Sequence, residues 1–498
     1  MQEKSVQGRR VTGEKGLKSD AIGFVEALVI GVASTAPAYS LAAVIGLVVA
    51  TVGAQAPAAL LAAFVPMFFI AAAFYYMNRA DQDAGTTFSW VTRAMGPYLG
   101  WMGGWAVSVT GILVIGSLAD VAGRYTFLLF GLDGVAESKA AVTALAVVYI
   151  ALMTLVGVLG IEFSARLQDV LIVAQVGALL LFAVVALYTV VFGDAPESAL
   201  VPEASWFSPF AVEDGEALVS GLLICVFIYW GWESSVNITE EVQESPSAPG
   251  RAAVISTVVL LVLYVSVATA VVAFAGPGTV EESAGDEAIL STIATDVLGS
   301  PLDEVVVLAV LASALASTQT TILPGSRTFL SMAFAGAVPA SLGRVHRQFL
   351  TPHVATFAIG ASATVLYVPL NILSESFLSD AVAALSLMIA FYYSLTGFAC
   401  VVYYRKELFK SAKNLLFIGL APLLGAGLLA YLFVRSLLSL SDPGASNTGG
   451  SLFGLGLPVV LGLGLLLLGA ILMVLWRTMG NERFFARRPE RFAPEDQE

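Results

Sequence analysis

The sequence predicts an all-α polytopic membrane protein of twelve transmembrane helices, on three observations. Of 498 residues, 58% are hydrophobic and 12% charged, whereas soluble globular chains run near 45–50% apolar and about 25% charged. At about 20 residues per bilayer-crossing helix, that apolar content accommodates roughly ten to fourteen spans. Long apolar runs are separated by polar or Gly/Pro-bearing breaks, with none of the alternating-polarity segments of a membrane barrel. The runs are 22–51, 57–78, 97–130, 140–159, 165–192, 216–243, 251–276, 303–333, 353–371, 376–404, 413–438 and 452–476.

The formal charge of −13 argues against a nucleic-acid partner, which needs clustered positive surface. Cys225 and Cys400 both lie in apolar runs, so no disulfide framework is expected. His346 and His353 sit among loop-like residues and form no metal-ligand spacing, so neither a metal site nor a cofactor is expected. Residues 1–21 mix Lys4, Arg9, Arg10, Lys15 and Lys18 with Glu3, Glu14 and Asp20, and read as a cytoplasmic tail, not a signal peptide.

With that tail inside, every lysine and arginine except Arg124, Lys139 and Arg435 falls on the cytoplasmic side. The even span count returns the carboxyl terminus there, at the cell membrane. Acidic residues fill two loops expected outside: Asp194, Glu197, Glu203, Glu213, Asp214 and Glu216 before span six, then Glu281, Glu282, Asp286, Glu287, Asp296, Asp303 and Glu304 before span eight. They read as solvated surface or as a funnel that concentrates cations. Residues 477–498 mix Arg483, Arg487, Arg488 and Arg491 with Glu495, Asp496 and Glu498, and read as a cytoplasmic tail at the membrane surface.

Two spans carry interruptions. Span one has Ser34-Thr35-Ala36-Pro37 at mid-depth, where proline removes a helix hydrogen bond. Span six has Phe227-Ile-Tyr-Trp-Gly-Trp-Glu233, a glycine and a carboxylate at similar depth. Five spans separate them, so the second set crosses the bilayer in the opposite sense. Broken helices at matching positions of inverted halves point to a transporter that holds its substrate at the breaks. The chain then divides into a first repeat (22–192), an external loop (193–215), a second repeat (216–404) and spans eleven and twelve (405–476).

Asp83-Ala-Gly-Thr-Thr-Phe-Ser-Trp-Val-Thr-Arg-Ala-Met-Gly-Pro97 and the residues on to Trp105 resemble the loop between spans two and three of the amino acid-polyamine-organocation superfamily. Gly160-Ile-Glu-Phe-Ser-Ala-Arg-Leu-Gln168, the Tyr229-Trp-Gly-Trp-Glu233 element, and Ser326-Arg-Thr-Phe-Leu330 through Pro339 to Thr351-Pro352 extend the resemblance over most of residues 20–405. It implies the leucine-transporter fold: a 5+5 inverted repeat with broken helices 1 and 6, plus two further helices. It also implies spans one, two, six and seven rocking against three, four, eight and nine.

In that family a glycine-rich stretch of span one binds a substrate carboxylate through its amides, as a half-helix amino terminus can. The matching residues here are Pro37-Ala38-Tyr39, a departure, because proline donates no amide hydrogen and tyrosine narrows the space. Ser34, Thr35 and the amides near Ala36 and Ala38 remain for a carboxylate, and an amine substrate without one gains ground. The resemblance makes Phe227 an aromatic gate and sets Trp230 and Gly231 beside the substrate. With Tyr229 and Trp232 they form an aromatic cluster of the kind that attracts ammonium groups by about 0.5–2 kcal/mol, or that simply packs. Glu233, a carboxylate at membrane depth, is expected to pair, take up a proton or sense substrate charge, or else to hold the broken helix.

For coupling, the lysine of proton-dependent relatives is replaced by Gln175, while Ser313 and Ser317 share a face of span eight near Thr318, Thr320 and Thr321, as hydroxyls that serve a sodium ion or helix packing. Na+ coupling, H+ coupling and exchange all stay open. Asp120 and Arg124, at i and i+4, are expected to pair, and Asp380 is expected in solvent near the outer interface. The function predicted is secondary transport of a small amino acid, by uptake through alternating access. The alternatives are an amine or polyamine permease, or a transport-like receptor. The expected partners are the small-molecule substrate and the lipid bilayer, and nothing in the sequence fixes an oligomeric state. The near absence of His and Cys disfavours an enzyme.

Overall fold

The computed structural model describes residues 15–243, 246–286, 288–373, 377–442 and 451–489. Lys4, Arg9, Arg10, Glu3, Glu14, Glu287, Arg491, Glu495, Asp496 and Glu498 lie outside the described residues. Among the described residues, ten helical stretches are long and apolar enough to cross a membrane. One of them, Phe24–Ala80, contains both span one and span two, and Gly215–Ile228 with Ser234–Asn237 forms span six. Twelve crossings result among the described residues.

Span one is two helices, Phe24–Ser34 and Pro37–Val52, separated by Thr35 and Ala36. Pro37 opens the second half at the one helical position where a missing N–H costs nothing. Spans two to five are Ala56–Ala80, Pro97–Leu129, Lys139–Leu159 and Ile161–Phe192. Spans seven to ten are Ala248–Ala275, Glu304–Ala335, His353–Leu373 and Phe377–Tyr403. Span eleven continues from a π turn, Leu415–Leu420, into Ala421–Ser439, and span twelve is Leu457–Thr478.

Burial sorts the spans. The most apolar window of span three is 94% buried and that of span eight 83%, against 22% for span twelve. Spans three and eight pack along each other at the centre. Gly104 allows that closeness, since a Cβ there would stand 2.9 Å from the Met332 sulfur. Spans four, five, nine and twelve turn wide apolar faces outward, as lipid-facing helices do.

Several short elements escape the hydropathy pattern: Thr87–Met95 between spans two and three, and Pro277–Glu282 and Ile289–Leu298 before span eight. A two-stranded ribbon, Ser451–Leu452 with Leu455–Gly456, precedes span twelve. The expected surface tail after span twelve is corrected in part. Glu482–Phe485 is helical, Phe484 is buried against Phe88 with ring centroids 5.7 Å apart, and Phe485 meets Tyr98 at 5.2 Å. Two aromatic side chains bury too much apolar area to stay in solvent.

The two ends of the bundle differ. At the end bearing the amino terminus, Lys15 Nζ lies 2.9 Å from Asp83 Oδ1, 2.7 Å from Glu240 Oε1 and 2.9 Å from Ser331 Oγ. Burial alone lowers the Lys15 pKa, but the charges of Asp83 and Glu240 outweigh it and hold the ammonium above its ordinary value. Burial raises Asp83, yet Lys15, together with hydrogen bonds from Gly85 and Ser89, brings its carboxyl below the usual range. Arg327 grips Glu241 with Nε at 2.7 Å and Nη2 at 3.0 Å, both side chains buried. Ile22 and Val242 form a parallel bridge in which Gln243 N donates to Ile22 O at 2.7 Å. The segment entering span one is thereby stitched to the segment leaving span six.

The far end holds a cavity of 1140 Å3 between the far halves of spans one and six and spans three, four, nine, ten and eleven. Charged side chains of both signs line it: Asp120, Arg124, Glu137, Lys139, Glu216 and Arg435. Arg124 acts on Asp120 by its charge, as the spacing predicts, and both residues also reach longer-range partners. Asp120 Oδ1 accepts from the Tyr367 hydroxyl and from Asn371 Nδ2, the latter at 3.0 Å, while Arg124 Nη2 reaches Asp286 Oδ1 at 3.3 Å. Asp380, expected in solvent, is 1% exposed, because this end of span ten is enclosed by its neighbours.

Candidate substrate site at the helix breaks

Ala36 adopts φ +49, a left-handed conformation that costs a non-glycine residue energy and ends the first half of span one. Gly231 at φ +118 does the same for span six, at a value glycine takes freely. The breaks touch: a Cβ on Gly231 would lie 2.6 Å from the Ser34 carbonyl oxygen. Ser34 Oγ and Ser234 Oγ are 2.6 Å apart, joining the spans by side chains as well.

The half-helix that starts at Pro37 has few amides to offer. Pro37 has none, Ser40 N donates back to Ala36 O at 2.7 Å, and Tyr39 N donates to Ser313 Oγ at 3.3 Å. Among the described residues the Ala38 N–H is the one of that turn left over. Thr35 Oγ1 is spent on Val32 O at 2.7 Å, so it points back along its own helix. Tyr39 is fully buried, with its hydroxyl donating to Ser117 Oγ at 3.0 Å and its ring edge-on to Phe227 at 6.4 Å. These two rings stand between the breaks and the far-end cavity, whose wall continues on Leu47, one side, and Leu223 and Ile224, the other.

The expected aromatic cluster of span six splits. Phe227 meets Tyr39 of the span-one break, and Trp230 Nε1 donates to the Tyr392 hydroxyl. Tyr229 instead packs on Phe64 and Tyr264 and donates to Leu60 O at 3.2 Å. Trp232 packs on Phe74 and Tyr393, with ring centroids 5.1 and 5.4 Å away. Consecutive residues around the break point in different directions, so Tyr229 and Trp232 are packing residues against spans two, seven and ten.

Glu233 is held at both oxygens. The Tyr392 hydroxyl donates to Oε1 at 2.5 Å, the Tyr393 hydroxyl to Oε2 at 2.5 Å, and Gly231 N to Oε2 at 3.1 Å. Hydrogen bonds to a carboxylate are the strong kind. Sequence reasoning misses the donors because they lie on span ten, 159 and 160 residues away. The signal it passes over is a Tyr-Tyr pair inside an apolar helix. Ser117, Ser234 and Tyr264 are missed likewise. The Tyr264 hydroxyl is fully buried beside Thr35 and Ser40.

A family model described as "Amino acid permease" matches residues 22–465. The chain belongs to the amino acid permease family. This permease is 25% identical over 332 residues to the branched-chain amino acid permease BcaP of Lactococcus lactis subsp. cremoris, covering 64% of this chain and 69% of that one. It is 26% identical over 269 residues to BcaP of Bacillus subtilis, covering 52% and 50%. The chain thus spans half to about two-thirds of the length of these relatives. The structure of MhsT in complex with L-phenylalanine matches with a TM-score of 0.59 at 15% identity, over 82% of this chain and 98% of that one, and this likeness shows the leucine-transporter fold. The chain is an integral membrane permease of the amino acid-polyamine-organocation superfamily.

In the permease the residues proposed for coupling are only partly gathered. Ser317 Oγ donates to Ser34 O at 2.8 Å and lies 3.4 Å from Thr321 Oγ1, so span eight does meet the span-one break. Ser313 is engaged with Tyr39 N, as above. Gln175 is fully buried, and neither its oxygen nor its nitrogen has a partner among the described residues. On the same helix it is Gln168 that reaches span eight, donating to Ala316 O at 3.1 Å and Gln319 Oε1 at 2.9 Å.

Proposed function

We propose that this permease takes up a small amino acid by alternating access, holding it where spans one and six break. The observation that carries the reading is the contact of the two breaks, with Gly231 against the Ser34 carbonyl. Two helix interruptions there expose backbone groups that a polar solute can satisfy. Ser34 and the Ala38 amide serve the carboxylate, the second lone pairs of the Ser34 to Ala36 carbonyls, which already accept from Ser317 and Ser40, serve the ammonium, and Tyr39, Phe227 and Trp230 wall the side chain. The relatives' names, a branched-chain permease and a phenylalanine complex, favour an apolar side chain. Loading from the far-end cavity is supported by the ion pairs that close the opposite end. The distribution of lysine and arginine supports the amino-terminal end as cytoplasmic, at the cell membrane. Proteoliposomes test the reading: labelled branched-chain amino acid accumulates above the level of empty vesicles, and no accumulation of any amino acid refutes it. Imposed sodium and proton gradients in the same vesicles identify the driving ion.

One observation favours a second reading. Pro37 lacks an amide hydrogen and Ser313 occupies that of Tyr39, which leaves the carboxylate cradle thin. An amine without a carboxylate needs no such cradle. Competition between an amino acid and its decarboxylated amine decides between the two readings: competition by the amine alone selects the second.

A further inference from the structure

We propose that the corner where the turn between spans four and five meets the loop after span eight binds the headgroup of an anionic phospholipid. A cavity of 190 Å3 opens there, lined by Lys18, Gly160, Glu162, Phe163, Arg166 and Gln348 among others. Two stretches that transport leaves unexplained, Gly160–Gln168 and the loop running to Thr351-Pro352, both reach this corner. Thr351 Oγ1 donates to Val158 O at 2.8 Å, and His346 Nδ1 accepts from the amides of Gln348 and Phe349 at 3.2 Å each. The loop wall is therefore fixed against the helices and not draped over them.

The charge of the cavity is positive. Lys18 is met by Glu162, but Arg166 is exposed and has no ion-pair partner among the described residues. Arg344 and Arg347, exposed on the same loop, add to the field. A guanidinium at such a mouth suits a phosphate oxygen pair. Position then selects lipid over a soluble anion. Leu159 and Phe163 on the rim are 46% and 53% exposed, and the outward faces of spans four and five continue with Leu155, Val170 and Val173. That apolar surface is covered by hydrocarbon in a membrane protein, so the cavity lies where the chain leaves the hydrocarbon and headgroup phosphates begin. On the orientation proposed above, it faces the leaflet with the negative surface potential.

The test uses the purified full chain in nanodiscs of phosphatidylglycerol or phosphatidylcholine, delipidated stepwise and followed by native mass spectrometry. Retention of phosphatidylglycerol is expected to exceed that of phosphatidylcholine, to fall about fivefold in Arg166→Gln, as befits one basic residue at a membrane surface, and to return in Arg166→Lys. Lys413→Gln, an exposed cation of the same end outside the cavity, is expected to leave retention unchanged. Equal retention of the two lipids overturns the proposal, as does an equal loss in Lys413→Gln. Displacement of the lipid by excess inorganic phosphate also overturns it and identifies a soluble-anion site. Melting temperatures of the variants separate lost lipid from lost fold.

Discussion

The breaks in spans one and six do the same geometric job with different chemistry. Span one is interrupted at Ala36 and held by hydroxyls: Ser34 to Ser234, Ser317 to the Ser34 carbonyl, Ser313 to Tyr39 N. Span six is interrupted at Gly231 and held by the carboxyl of Glu233, between two phenols of span ten. Neutral hydrogen bonds contribute about 0.5–1.5 kcal/mol each, those to charged groups about 1.5–3 kcal/mol. With Glu233 ionised, the span-six break is the stiffer one and the span-one break the more adaptable, a contrast that the Glu233 variant below tests.

The contact point of the two breaks offers the largest effect. Gly231→Ala places a methyl 2.6 Å from the Ser34 carbonyl at a φ that alanine resists. Strain of this kind costs on the order of 1–3 kcal/mol before the clash is counted, so uptake should fall by roughly tenfold to a hundredfold. Near-normal uptake by this variant means the breaks do not need to meet.

Glu233→Gln separates a stiff clamp from a charge sensor. A clamp loses its ionic hydrogen bonds, so the melting temperature falls and uptake drops by about tenfold, with the pH profile of uptake unchanged. A moved pH profile with an unmoved melting temperature assigns Glu233 to sensing. Tyr392→Phe and Tyr393→Phe should each show part of the Glu233→Gln loss of stability, and less than additively, because they share one carboxylate.

Ser313→Ala probes the adaptable break. It frees the Tyr39 amide for substrate, so binding of an amino acid should strengthen relative to its decarboxylated amine, by a factor corresponding to about 1 kcal/mol. Isothermal titration with both ligands reads the ratio, and a ratio that stays put leaves the carboxylate elsewhere.

The smallest effect concerns what the two broken spans share, the Lys15 cluster. Asp83 is depressed, so its contribution is present above the ordinary carboxylate range and lost as pH falls through its lowered pKa. Lys15 is raised, so its contribution is present below the ordinary lysine range and lost as pH rises through its elevated pKa. Protection of residues 15–22 from protease should therefore hold through the neutral range and weaken at both extremes. A transition near neutral pH contradicts this ion pairing.

The contrast between the breaks also marks what sequence alone makes legible. Twelve apolar runs follow from hydropathy, and Pro37 and Gly231 announce interruptions because their backbone chemistry is special. Ala36 announces nothing, although it carries the left-handed turn. The phenols of Tyr392 and Tyr393, the split of Tyr229 and Trp232 from Phe227 and Trp230, and the burial of Asp380 all depend on which helices become neighbours. That is decided by tertiary packing and leaves no local pattern. The Thr87–Met95 helix hides for another reason: nine residues are too few for a spanning signal.

The parallel bridge between Ile22 and Val242 gives the molecule a natural gauge of its own state. The Gln243 amide proton is sequestered by the Ile22 carbonyl only while the entrance to one broken rod and the exit of the other stay side by side. Its isotope-exchange rate, read at one position, becomes a clock for how often the amino-terminal end of the bundle comes apart.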